Sequence, residues 1–386
     1  MTWSALPKAV TRGHSGPTSA QRIPNGHSWP DDAQGGGVGD DDVRVALVVP
    51  LQGPAGILGP SCEAVAATAV RAVNEDGVLG RAVRLEVVDG GAPPAQVAAE
   101  VGRLLAAGRV DAVTGWHISA VREALAPVTA GRVPYVYTST YEGGEGRPGV
   151  FCTGETPAGQ VAPALRWLRD ELGVRRWFVV GDDYVWPRRS ASRTVEYARE
   201  LGLELSGVAY VPLGTTEYSA VLRSVEASDA QGVLLFLVGQ DAVHFNRAFA
   251  ARGLDARMVR LSSLMEESVL LASGAAATRN LYSSAAYFRS LATPDALAFG
   301  REYVAQHGPH APPLNNAAES CYEGLVMLAG LARRAGSLRL GDVVASADGT
   351  GYDGPRGPVH LRGNHAHQRI HLAAADGYDF DVVASF

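Results

Sequence analysis

Three stretches cluster hydroxyl and aromatic side chains, and each follows a run of β-branched and apolar residues. TGWHIS at 114–119 offers Trp116, His117 and Ser119 where a helix is expected to begin. YVYTSTYEGGEG at 135–146 ends its apolar run in three consecutive hydroxyls, Thr138, Ser139 and Thr140, followed by Tyr141, Glu142 and two glycines. GDDYVWPRRS at 181–190 delivers Asp183, Tyr184, Trp186 and Pro187 just past a strand. Hydroxyls and the open N–H groups of a first helical turn suit a carbonyl or carboxylate oxygen, and Ser119 is expected to cap its helix. Aromatic rings exclude water while a few placed donors fix orientation. The chemistry on offer is the holding of a small, weakly charged polar molecule.

Chemistry that transforms a substrate is poorly represented. No G-x-S-x-G elbow, no phosphate loop ending in G-K and no G-x-G-x-x-G after a strand occurs. His365, His367 and His371 form H-x-H-x-x-x-H beside a turn, where polar residues are expected on other grounds, so no metal and no cofactor is expected. Glu266-Glu267 and Asp182-Asp183 are adjacent pairs, and neighbours on a strand point to opposite faces, which makes poor acid/base couples.

The elements that must position these turns follow a simple order. Strands are expected at 43–51, 82–89, 110–114 and 134–138, alternating with helices at 61–75, 94–107 and 120–130. The alternation restarts after Thr156, with strands at 177–182, 205–211, 232–238 and 258–261 between helices at 157–172, 189–201, 219–227 and 242–251. A strand at 281–288, helices at 294–306 and 315–335 and a hairpin turning at 362–364 complete the chain. Strand-helix alternation with near-continuous apolar strands demands parallel sheets covered by helices, an α/β class. Two such runs with material left to cross back predict two Rossmann-like lobes joined by hinge crossings. The expected division is a disordered leader at 1–42, one lobe at 43–156 plus about 286–336, and a second at 157–285 plus about 337–386. In such sheets ligands bind beyond the carboxyl ends of the strands, where the three turns lie.

Charge and composition narrow the partners. The 34 basic and 40 acidic side chains leave a formal charge of −6 with no basic block, which argues against nucleic acid. No stretch approaches the roughly 20 apolar residues that span a bilayer. Cys62, Cys152 and Cys321 are widely spaced and are expected as small buried hydrophobes. The leader lacks an apolar signal core and a cysteine for a lipid anchor, so the sequence as written reads as cytoplasmic, with export as the alternative if the start is mis-assigned.

Taken in order, VALVVPLQGPAG, NEDGVLGR, TGWHIS, YEGGEGRPGVF, GDDYVWPR and GPVHL resemble the type I periplasmic-binding-protein family, in its branch of short-chain amide, urea and branched-chain amino-acid binders. The resemblance runs from about Val43 to the C-terminus. It implies two lobes closing on a ligand about three crossings, with no catalysis. It also implies a site made of Ser119, Tyr137, Ser139, Thr140, Tyr184, Val238 and Gly239, with His117 standing where the branch's amide sensor has an aromatic ring and adding a charge. The expected function is binding of a short amide, urea or amino acid as the solute-binding component of an ABC-type importer, with a permease as partner. The alternative is a cytoplasmic sensor acting through a regulator protein. An enzyme on the same scaffold would require a nucleotide loop or catalytic constellation, and neither is found.

Overall fold

The computed structural model describes residues 42–386. The first lobe opens with β1 (Val43–Val49), α1 (Gly59–Asp76), β2 (Val83–Asp89) and α2 (Pro94–Ala106), followed by β3 (Ala112–Gly115), α3 (Ser119–Thr129), β4 (Tyr135–Tyr137) and β5 (Val150–Cys152). The second lobe begins with α4 (Pro157–Leu172), β6 (Arg176–Asp182), α5 (Val185–Leu201), β7 (Glu204–Val211) and α6 (Ser219–Ala227). It continues through β8 (Gly232–Phe236), α7 (Gln240–Ala251), β9 (Val259–Ser262), α8 (Glu267–Ser273) and β10 (Leu281–Ala285). The remainder comprises α9 (Pro294–His307), α10 (Asn316–Ala335), α11 (Leu340–Ser346), β11 (Gly351–Gly354), β12 (Gly357–Arg362), β13 (His365–His367), β14 (His371–Asp376) and β15 (Asp379–Ser385).

These strands form two sheets. One has the order β11-β12-β13-β5-β4-β3-β1-β2, the other β15-β14-β10-β9-β8-β6-β7. Within each, five strands run parallel in equivalent order: β2-β1-β3-β4-β5 and β7-β6-β8-β9-β10. In both, the order reverses at one place, between β1 and β3 and between β6 and β8. Crevices open at such switch points beyond the strands' carboxyl ends. The central strands can sit there because both faces are covered. Every residue of β8 (GVLLF) is buried, and so is all of β1 but Arg44. Alanines lining α1, at 64, 66 and 69, let α10 approach it closely.

The chain passes from one sheet to the other three times, at 153–156, after Ala285 and at 368–370. The expected strand at 281–288 therefore stops early, because its last residues already form the second crossing. The expected assignment of 337–386 to the second lobe needs correction. β11, β12 and β13 add to the first sheet, where His365 pairs with Cys152 and the Cys152 N–H donates to the Asn364 carbonyl at 2.8 Å. Only β14 and β15 join the second sheet, β14 antiparallel to β10 and β15 antiparallel to β14. Backbone groups left open at the β5 edge decide this, and hydrophobic pattern does not encode which edge a hairpin will fill. The leader expected at 1–42 lies, Asp42 apart, outside the described residues.

Candidate functional site

Four turns at the two switch points converge. After β1 the chain makes a short helical turn at Pro54–Leu58, and after β3 it enters α3 through Trp116, His117 and Ile118. From the second lobe come Asp183 and Tyr184 after β6, and Val238 and Gly239 after β8. Gly239 has φ +51°, and a Cβ there would lie 2.2 Å from the Pro54 carbonyl oxygen of the facing lobe. Close approach of two backbones across the lobes thus requires glycine. Gly115 does the same within the first lobe: at φ +128° its Cβ would meet the Val48 carbonyl oxygen at 2.3 Å.

The first-lobe wall is a connected polar layer. Ser119 is the first residue of α3 rather than its cap, which is Ile118, and its hydroxyl lies 3.4 Å from the Tyr137 hydroxyl. Tyr137 donates to the His117 carbonyl at 2.9 Å, is buried, and carries the Arg122 guanidinium 5.5 Å from its ring centroid. Burial holds its phenol well above the usual range. Ser139 is buried, and its hydroxyl donates to the Thr140 carbonyl at 3.3 Å. Thr140 donates to Gln160 Oε1 of α4 at 2.8 Å, so its hydroxyl ties the lobes together at the first crossing. From the other side Tyr184, half-buried, packs on Trp186, and the Val238 N–H donates to Asp182 Oδ2 at 2.9 Å.

His117 departs from its expected role. Its side chain lies inside the first lobe, with Nδ1 3.0 Å from the Val48 carbonyl oxygen and Nε2 2.6 Å from the Tyr135 hydroxyl. Burial pulls its pKa down to about 4, so it is neutral at pH 7 and supplies no charge. Its job is to tie β1 to β4 beneath the turn. The other histidines are dispersed: His365 bonds the Tyr141 hydroxyl, His367 stacks on His360, and His371 bonds Ser385 in the other sheet. Among the described residues no group of three or more His, Cys, Asp or Glu is placed to hold a metal ion, and all three cysteines are free and buried.

Two arginine-carboxylate clusters escaped the sequence reading, because their members are scattered along the chain. At the crossings, buried Arg356 donates to Glu319 Oε2 at 2.7 Å and to Gln368 Oε1 at 2.9 Å, with Glu323 at 3.8 Å and Glu155 at 3.9 Å. Gln368 donates to the Thr153 carbonyl, and Glu155 accepts from the Ala286 N–H, both at 2.9 Å. All three crossings are therefore tied to one guanidinium. Burial, then the Glu319 charge, raises the Glu323 carboxyl well above the carboxylate range. Nearby, Glu266 accepts from the Ala317 N–H at the start of α10, and burial followed by Glu267 pushes it up to about 8. The second cluster lies at the rim of the cleft. Arg122 of α3 binds Glu142 at 2.5 Å and also Glu145, while Arg189 of α5 reaches Glu123 and Glu142 at 3.2 Å each.

Two further buried polar atoms stand out beside the turns. Trp186 Nε1, in the first turn of α5, and Ser263 Oγ, just past β9, have no hydrogen-bond partner among the described residues. Buried donors left this way cost on the order of 1–3 kcal/mol each.

Similarity to known proteins agrees with this architecture. Residues 42–378 match the family model described as "Periplasmic binding protein". Leu/Ile/Val-binding protein homolog 6 of Brucella melitensis is 26% identical over 350 residues, covering 86% of this chain and 87% of that protein. The solute-binding protein of an ABC transporter from Rhodopseudomonas palustris HaA2, solved with p-hydroxybenzoic acid, superimposes with a TM-score of 0.81 at 20% identity, covering 90% of this chain and 97% of that one. The leucine-binding protein LivK of Thermotoga maritima superimposes with a TM-score of 0.77 at 20% identity, covering 89% and 98%. With both switch points facing one cleft and the family model spanning nearly all of the described residues, this chain belongs to the periplasmic binding protein family and has its two-lobed type I fold.

Proposed function

We propose that the protein is the non-catalytic solute-binding component of an ABC-type importer, taking a small molecule with a carboxyl or carboxamide group into the cleft. The observation that carries this is the convergence of both switch points: Ser119, Tyr137 and Ser139 from one lobe, Tyr184, Val238 and Gly239 from the other. Ser119 and the first N–H groups of α3 bind the ligand's carboxyl or amide oxygen, where the helix start favours negative charge. Tyr184 and the Val238-Gly239 turn then cover the rest. Only the closed state makes both sets of contacts, so the ligand biases an existing equilibrium toward closure.

Amides, urea and amino acids remain the ligand classes to try, and small aromatic acids join them on the strength of the similar fold. The neutral, internal His117 removes a reason to expect a cation in the pocket. Partner recognition then falls to a permease that reads the closed shape. An importer component works outside the cytoplasm, so this reading replaces the cytoplasmic expectation with export, which fractionation of the source cells tests directly.

The main test is a thermal-shift series with L-leucine, L-isoleucine, acetamide, urea and 4-hydroxybenzoate. A ligand at about 100 times its Kd stabilises by about 2.7 kcal/mol, a shift of several degrees. The double variant Ser139→Ala with Tyr184→Ala abolishes that shift while keeping the ligand-free melting profile. Unchanged affinity in the double variant defeats the site assignment.

A further inference from the structure

The first lobe's rim is short of one positive charge. It presents Glu123, Glu142 and Glu145 against two guanidiniums, Arg122 and Arg147, the latter 2.9 Å from Glu145. Arg189 of the second lobe supplies the missing charge, with Nη1 3.2 Å from both Glu123 and Glu142. Glu142 is nearly inaccessible, whereas the Arg189 side chain is 59% exposed. A carboxylate already buried against Arg122 on one lobe thus meets a second, largely exposed cation from the other.

We propose that Arg189 is a cross-lobe latch, an ion-pair bridge that sets the balance between open and closed forms before any ligand binds. The inference rests on the reading that the cleft opens and closes about the three crossings. Its geometry suits a reversible contact. Arg189 lies on α5, close behind Tyr184, so it engages as the second-lobe wall of the site arrives. The cavity of about 360 Å³ between Arg122, Glu123, residues 143–147 and Arg189 gives water access to the pairs, which lets them part. With Glu142 counted, three carboxylates and three guanidiniums balance in the closed form, so the cluster has no surplus charge to draw an anion into that cavity.

Dyes on Ala107→Cys and Ala227→Cys, exposed positions on the two lobes, report closure by energy transfer in the ligand-free full chain, since the native cysteines are buried. Arg189→Ala shifts the open-to-closed ratio about 5-fold toward open at low salt, and Glu123→Gln shifts it part of the way. Arg189→Lys keeps most of the closed population. Raising NaCl to about 0.5 M opens the unsubstituted protein and barely affects the alanine variant, because screening acts on the pair that the variant lacks. Identical distance distributions in Arg189→Ala and the parent overturn the latch, and so does an equal shift in Arg189→Lys. L-leucine and 4-hydroxybenzoate on the same dye pair test ligand-driven closure separately: if neither compacts the parent while Arg189→Ala still opens it, the ligand reading fails for these probes and the latch stands.

Discussion

Arg356 at the hinge and Arg189 at the rim each face several glutamates, yet they are built for opposite purposes. Arg356 and its partners Glu155, Glu319 and Glu323 have side chains no more than 1% exposed. Desolvation makes such a cluster costly to assemble and costly to break, and losing the one cation leaves buried charge uncompensated. It contacts Glu155 of the first crossing and Gln368 of the third, and Glu155 in turn holds the Ala286 N–H of the second. Arg189 is mostly in water, where an ion pair is worth about 1 kcal/mol or less. The same residue types make a costly, fixed cluster where they are buried and a weak contact where one partner is wet.

The strongest way to break this contrast is Arg356→Met. It leaves Glu319 and Glu155 without their cation and should destabilise the fold by about 3–5 kcal/mol in urea denaturation. A loss below about 1 kcal/mol would make the hinge cluster equivalent to the rim. Gly239→Ala comes next, because its Cβ cannot coexist with the Pro54 carbonyl in the closed form. Backbone strain of about 1–3 kcal/mol at this positive φ burdens the fold in either form and the Pro54 clash adds to it in closure, so ligand affinity drops roughly tenfold or more alongside a loss of stability.

Glu266 sharpens the comparison, being a buried hinge carboxyl with backbone N–H donors and no cation. Its pKa is raised from 4.5 to about 8, so its contribution is complete below pH 4.5 and is lost as pH climbs toward 8. Glu266→Gln keeps an acceptor for Ala317 and removes the titration. Stability measured between pH 5 and 8 should then decline less steeply than in the parent, by about 3 kcal/mol across the interval. Parallel curves for the two proteins would place the pH response elsewhere. The smallest effect belongs to Arg189→Ala, whose unfolding free energy in urea should fall by less than about 1 kcal/mol even as its lobes open.

Much of this molecule was readable before folding. Strand-helix alternation placed nearly every element of both parallel sheets, and the turns beyond β3, β4 and β6 already showed their hydroxyls and rings. Ser119, Tyr184, Val238 and Gly239 sit just beyond β3, β6 and β8, whereas Tyr137 ends β4 and Ser139 follows it. Thr140 lies there too, but its hydroxyl is spent on Gln160 at the crossing. His117 was misjudged because spacing locates a residue on a turn without telling which way its side chain points, and the ring turned inward to Val48 and Tyr135.

What the sequence by itself determined is therefore the local order: which segments are strands, which are helices, and where glycine and hydroxyls gather beyond the strands' carboxyl ends. Periodicity and turn chemistry act over a few residues, so they survive in a linear reading. Tertiary structure alone decided that β13 completes the edge at β5, that Arg356 collects Glu155, Glu319 and Glu323, and that Arg189 meets Glu142 across the cleft. Those outcomes depend on open backbone edges and buried charges finding partners far away in the chain. The energy that selects them exists only once water has been removed from between them.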